Sequence, residues 1–579
     1  QGKVVDKNHF KLASEARYTD GFYNGMKILI DGKHRYRILS YNGRDQIAEV
    51  TPELAKELTA DRQYTYKITP PPLVPVYAWK ETLKFWIPLV LFLWLALFGL
   101  SFVFHKQWSE HEHLPYPIAT FTDMLLPEND SGIAGLLKQR GFQIATMVVL
   151  GIYIYNYTQS WFSNYLVAIP LKFDFWGIIH LFPILKGPVY QIASIRIYFT
   201  VIAIAYFLAS DVALSLGLSK YVFCFTVGAL GMMGVNLFEG GGTDWTQYNR
   251  YLGAGAYLGA FIMFLYTGRY YYLNVCKRVV GLRTSDEVPA YSVWGARLFF
   301  LCMFGFVVWL HTQVHFHWFF ALLYFFGVLV MYSVMSRIIA ETGLFFIQTN
   351  FLPGGLLIGL LGTRALSPEM IAVLTFAAVQ LSIDPREALM PFMANSLKMI
   401  EMRKHKVGRA GLACLTALLV GLAVGVPWTI YNQYKRGVNM ADKWANQWVP
   451  TFAPRETVTM MQRMQAQGTM EETRNLSFTQ RLARIRPLKW NLVLTLLIGM
   501  ALVVLLAIAR LRIPKWPIHP VLFLVWIAWA PGNFVSSFLI GWLLKVLVMH
   551  FGGIRVFHKL KPVIIGLVAG ELIGAMIPI

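Results

Sequence analysis

Runs of about twenty apolar residues recur along this chain, near 83–105, 141–162, 197–217, 219–238, 251–266, 408–430 and 490–510. That length matches the roughly 30 Å hydrocarbon core of a bilayer, whereas a water-soluble fold spreads its apolar residues at helix or strand periodicity. The expectation is an all-α polytopic membrane protein of about 12 transmembrane helices, some broken or re-entrant, preceded by a small N-terminal α+β extramembrane lobe. Only 14% of the residues are charged and 56% are hydrophobic, which fits a chain whose main solvent is lipid. A net charge of +21 would also suit nucleic acid. The Lys and Arg residues sit largely between the apolar runs, however, as in cytoplasmic loops, so nucleic acid is excluded as a partner and the lipid bilayer is expected.

Four regions are expected: an extramembrane lobe and Pro-rich linker over 1–80, a first bundle over 81–431, a polar interfacial segment over 432–488, and a C-terminal bundle over 489–579. In the lobe, MKILIDG, HRYRILSYNG and TYKIT alternate like strands, and Thr51-Pro52-Glu53 opens a short helix through Leu58. Pro70-Pro71-Pro72 is a stiff spacer. Cys224, Cys276, Cys302 and Cys414 lack paired spacing and read as small packing residues.

The most informative stretch is 331–363, where Arg337 and Glu341 lie one turn apart on an apolar helix that later breaks at Pro353-Gly354-Gly355. Residues at i and i+4 share a helix face and can pair. A broken backbone inside lipid must be buried or line a cavity, and interrupted helices build the midplane sites of secondary transporters. The plainer alternative makes Arg337 a cytoplasmic helix end with Glu341 as its interfacial partner. Pro368 to Ser382 would complete a re-entrant hairpin.

Other candidates for substrate or coupling contacts are Asp211 within a span, Glu239 before three glycines, Asn533 in the Ala530-Pro531-Gly532-Asn533 break, and Glu571 in the last apolar helix. Each has a structural alternative: a local pair of Asp211 with Ser219 and Lys220, a flexible glycine turn, or a distant basic partner for Glu571. The cluster His105, Glu110, His111, Glu112 and His113 reads as a solvated interfacial turn, and His311, His315 and His317 read as part of an interfacial belt. Neither is expected to hold a metal, and no cofactor is expected. No G-x-S-x-G, H-E-x-x-H or phosphate-binding Gly-Lys-Ser/Thr pattern occurs, so the chain is not expected to be an enzyme.

HKQWSEHEHLPYPIA, YFLASDVALSLG, SRIIAETGLFF, YNQYKRGVNM, WPIHP and IGWLLKVLVMHFGGIRVFHKLKPVIIGLVAGELIG, in this order, resemble an uncharacterised bacterial branch of the oligopeptide-transporter-like (OPT) superfamily. The resemblance covers the chain from about residue 70 and is most specific from Trp516 to Gly574. It implies proton-coupled movement of peptides or metal chelates across a bacterial inner membrane. It also implies helices upstream of Gln1, carried by a cleaved segment or by a separate chain. A homo-oligomer or a larger membrane complex is a further expected partner state. The alternative function is a non-transporting scaffold or subunit that keeps a transporter-like fold.

Overall fold

The computed structural model describes all residues except 56, 61, 70–73, 128–134, 180, 183, 185–191, 285, 385–388, 438–441, 530 and 578–579. The Pro70-Pro71-Pro72 spacer therefore lies outside the described residues. The chain divides into two compact units, residues 1–86 with 418–446, and residues 87–417 with 447–579.

The first unit carries seven strands: β1 (Gly2–Val4), β2 (His9–Lys11), β3 (Lys27–Ile30), β4 (His34–Asn42), β5 (Ile47–Thr51), β6 (Gln63–Tyr64) and β7 (Tyr66–Thr69). All pairings are antiparallel, in the order β6-β1-β2-β5-β4-β3-β7. Since β6 and β7 are separated by Thr65 alone, one stretch of chain pairs with both ends of the sheet and closes it on itself. Closure removes the open edges that invite wrong pairing. Inside lie Phe10, Ile28, Ile30, Ile38 and Ala48, none of them accessible to solvent. Among the described residues the lobe is therefore a closed β-fold and not α+β. The described residues of the helix expected from Thr51 to Leu58 are not helical, because Thr51 is still paired with Arg37 and the amides of Leu54 and Ala55 have other acceptors. Leu54 donates to the Lys7 carbonyl and Ala55 to the Tyr36 hydroxyl, while Leu54 and Leu58 fill the lobe's core.

Among the described residues, seven helices are long and apolar enough to cross a membrane: Val76–His111, Ser210–Met232, Ala290–Val314, Trp318–Thr342, Val407–Arg436, Trp490–Arg512 and Gly532–Ala575. An eighth span results if Tyr248–Thr267 and Arg269–Val279, bent by 75° at Gly268, count as one. Arg269, Lys277 and Arg278 lie on the second of these helices. The count falls below the expected twelve because several apolar runs fold as short helices. The runs 197–217 and 219–238 become the nine-residue helix Phe199–Phe207 and the single long helix Ser210–Met232. Arg140–Trp161 has membrane length but carries Gln143, Asn156 and Gln159 and falls outside the apolar set. The 44-residue segment Gly532–Ala575 would reach about 66 Å if straight, twice a bilayer core. Gly553, at φ 61°, interrupts it.

The helices of the second unit approach closely where they carry glycine. A Cβ on Gly255 would stand 1.9 Å from the Leu496 carbonyl oxygen, and one on Gly499 1.9 Å from that of Leu252, so Tyr248–Thr267 and Trp490–Arg512 meet backbone to backbone. Between 444 and 483 the polar segment folds into short helices, Val449–Ala466, Met470–Arg474 and Phe478–Ala483.

Candidate functional site at two interrupted helices

Two interruptions of the apolar helices meet. Trp318–Thr342 ends at Gly343, whose φ of 63° turns the chain out of the helix, and no helix resumes until Pro353–Leu361. The second interruption separates Arg512 from Pro531 and, among the described residues, contains only the four-residue helix Val521–Leu524. They join at an isolated antiparallel bridge, where the Trp529 amide donates to the Gln348 carbonyl at 2.8 Å.

Unpaired backbone groups in apolar surroundings cost several kcal/mol, and here side chains of neighbouring helices supply the partners. Lys220, wholly buried on Ser210–Met232, donates to the carbonyls of Trp526 and Ala528, the latter at 2.8 Å. Arg250 donates to the Asn350 carbonyl at 2.5 Å, and the Tyr251 hydroxyl to that of Gly355 at 3.0 Å.

The charged candidates take partners from distant parts of the chain. Arg337 pairs with Glu112 at 2.5 Å, and Glu341 with His519, inside the second interruption, at 3.0 Å. Neither interfacial pairing nor an Arg337–Glu341 bond is formed, because opposed segments offer each side chain a closer partner than its own helix does. Asp211 pairs with Arg510 at 2.9 Å, replacing the expected local contact with Lys220. The histidine-rich stretch after His105 is solvated only in part: Glu110, His111 and His113 are exposed, whereas His105 is buried. It forms the π-helical turn Gln107–His111 with Trp108 buried, and Glu112 is held by Arg337. Beside it, His105 and Lys398 approach Glu401 at 3.7 and 3.0 Å.

A cavity of ≈ 630 Å³ borders the first interruption and the start of the helix that follows the second, lined among others by Tyr153, Phe345, Phe346, Asn533 and Glu571. Two candidates from separate helices thus face one space. Glu571 accepts from the Tyr153 hydroxyl at 3.0 Å and from the amides of Phe199 and Thr200 at 3.3 and 2.6 Å. Its charge caps the positive N-terminal end of Phe199–Phe207, so a basic partner is not what holds it. Glu239 lies elsewhere, exposed, on a second cavity of ≈ 460 Å³ with Asp244 and Glu456. The glycines after it form an ordered turn in which Gly240 bridges Gln247 and the Gly241 amide donates to Thr246.

Histidines of the other group have structural roles. His311 Nδ1 lies 3.1 Å from the Phe316 carbonyl, and His317 accepts the Phe319 amide and stacks on Phe478. Among the described residues no group of three His, Cys, Asp or Glu side chains is placed to hold a metal ion. Sequence reasoning did not single out Lys220, His519, Arg510 or Glu456. A lysine within an apolar run is itself a signal for Lys220, whereas Glu456 sits in polar sequence where a carboxylate draws no notice.

Long apolar helices, broken at a common point and joined there by buried charges, define a helical membrane protein. The chain belongs to the family described as Family of unknown function (DUF6785), whose profile matches residues 41–578. No curated protein matches the chain.

Proposed function

We propose that the protein is an ion-coupled secondary transporter of a small polar solute, such as a peptide or metal chelate, in a bacterial cytoplasmic membrane. In this reading the short helices complete the passages needed for about twelve crossings. The observation that carries the proposal is the meeting of the two interruptions at Gln348 and Trp529, with a cavity that Phe345 and Phe346 of the first interruption share with Asn533 at the start of the helix after the second. Discontinuous helices expose backbone dipoles to a bound solute, and alternating access moves one bundle against another around that point. Among the candidate acids, Glu341 has a histidine partner, the side chain whose charge changes most readily near neutral pH. The pair Glu341–His519 is therefore assigned the coupling proton, and Arg337 with Glu112 a structural clamp.

The test is uptake of radiolabelled alanyl-alanine and labelled ferric citrate by the full chain in liposomes under an imposed pH gradient. Accumulation that collapses with a protonophore, and falls at least tenfold in Glu341→Gln, is the expected result. No uptake of either probe, together with a chain that co-purifies in fixed proportion from native membranes, would overturn the proposal in favour of a non-transporting subunit.

A further inference from the structure

We propose that the second cavity, between the turn at 238–247 and the helix Val449–Ala466, binds the ammonium group of a small organic amine, with Glu456 as the carboxylate that receives it. The inference stands apart from the transport reading. Glu456 lines this cavity while only 5% exposed, and its Oε1 is buried with no hydrogen-bond partner. A buried carboxylate oxygen left without a donor is costly, so a ligand bringing N–H groups and positive charge gains what the protein leaves unmade. Phe238, Trp245 and Phe452 also line the space, and aromatic faces attract an organic cation.

The buried carboxylate decides the sign of the ligand, because the exposed charges around it balance. Asp244 and Glu239 on the turn face Arg455 and Lys489 across the same space, and all four are exposed and screened. The Lys489 ammonium already sits 6.0 Å from the Tyr248 ring. Arg250 is engaged with Asn350, and Tyr251 with the Gly355 carbonyl. Burial is the first cause of the raised pKa of Glu456, to about 7, opposed by the Thr243 hydroxyl and reinforced by Asp244. At neutral pH the carboxyl is therefore partly protonated. An amine that binds keeps its own proton, and the protonated fraction of Glu456 loses one to solvent.

The test is calorimetric titration of the detergent-solubilised full chain with n-butylamine, against n-butanol as the uncharged isostere. The competent fraction of Glu456 rises roughly tenfold from pH 6 to pH 8, so butylamine affinity is expected to rise about tenfold over that range. Butanol should show no saturable binding. Glu456→Gln should lose the saturable heat. If that variant does not fold, the wild-type chain at pH 7, titrated in two buffers of different ionisation enthalpy, should release about half a proton per amine bound. Butylamine binding of equal strength at pH 6 and pH 8, or no proton release, or equal binding of butanol, would overturn the proposal.

Discussion

Buried charges in this protein act by completing backbone that the helices leave unpaired, and Lys220 is the clearest case. Replacing it by Met leaves the carbonyls of Trp526 and Ala528 without donors, at a cost of roughly 1–3 kcal/mol. We expect Lys220→Met to lower the thermal unfolding midpoint of the solubilised protein, whereas Lys435→Met, at an exposed position, should leave it within about 0.5 kcal/mol. Breaking one member of the Arg337–Glu112 pair should be more harmful than removing both, since a single change strands a charge and costs roughly 3–5 kcal/mol. A double-mutant cycle with Arg337→Met and Glu112→Leu measures that coupling, and strict additivity would refute it. Glu456 carries a pH signature of its own. Its folded-state pKa lies above the ordinary value of 4.5, so its contribution to stability is full below about pH 4.5 and is lost as pH rises through about 7. The loss is on the order of 3 kcal/mol, and a pH series of unfolding midpoints should flatten in Glu456→Gln. Of these residues, Arg337 and Glu341 stood out in the sequence because charge is rare in apolar runs. Their pairings did not, because Glu112, itself visible in the histidine-rich cluster, and His519 lie 225 and 178 positions away.

Helix pairs are where the sequence is easiest to read and easiest to test. Gly253, Gly255 and Gly259 are legible as a small-residue stripe, but the stripe does not say which helix it meets. Gly499 answers from the other side. Gly499→Val is expected to prevent the close approach and sharply lower the yield of folded protein. Gly421→Ala, on a helix face with nothing within 4 Å of the new Cβ, should be neutral or stabilising by about 0.5–1 kcal/mol. Equal effects of the two on the unfolding midpoint would show that the contact is not a determinant of packing. The misread elements are instructive too. Alternation marked the strands of the lobe, but closure depends on residues 63–69 pairing with both β1 and β3, a long-range fact that period-2 patterning does not encode. The apolar run at 197–217 looked like one span because hydropathy ignores backbone geometry. The break at Leu208 and Ala209 exists because Leu208 is extended, and its carbonyl accepts Lys545.

At the scale of the molecule, the junction of the two interruptions is the point on which the proposed transport depends. Residues facing each other in an antiparallel bridge have Cα atoms about 4.5–5.5 Å apart, within reach of a disulfide. In a chain whose four cysteines are replaced by alanine, Gln348→Cys with Trp529→Cys should cross-link on oxidation. In the transport reading, that cross-link should stop uptake and reduction should restore it; full uptake by the cross-linked protein would place the moving parts elsewhere. The sequence by itself determined that the chain carries helices of membrane length, that the apolar runs before Pro353 and Pro531 are interrupted, and that Arg337, Glu341, Asp211 and Glu571 sit where charge is expensive. These are consequences of transfer free energy and of backbone chemistry, both of which are local. The structure moves the breaks to the ten residues after Thr342 and to the stretch after Arg512, with Pro353 and Pro531 each opening the next helix. Only the tertiary structure decided that the breaks touch, that Glu341 meets His519 while Arg337 meets Glu112, and that Asn533 and Glu571 share one cavity. Partner choice among buried charges is set by which segments pack together, and no spacing along the chain contains that information.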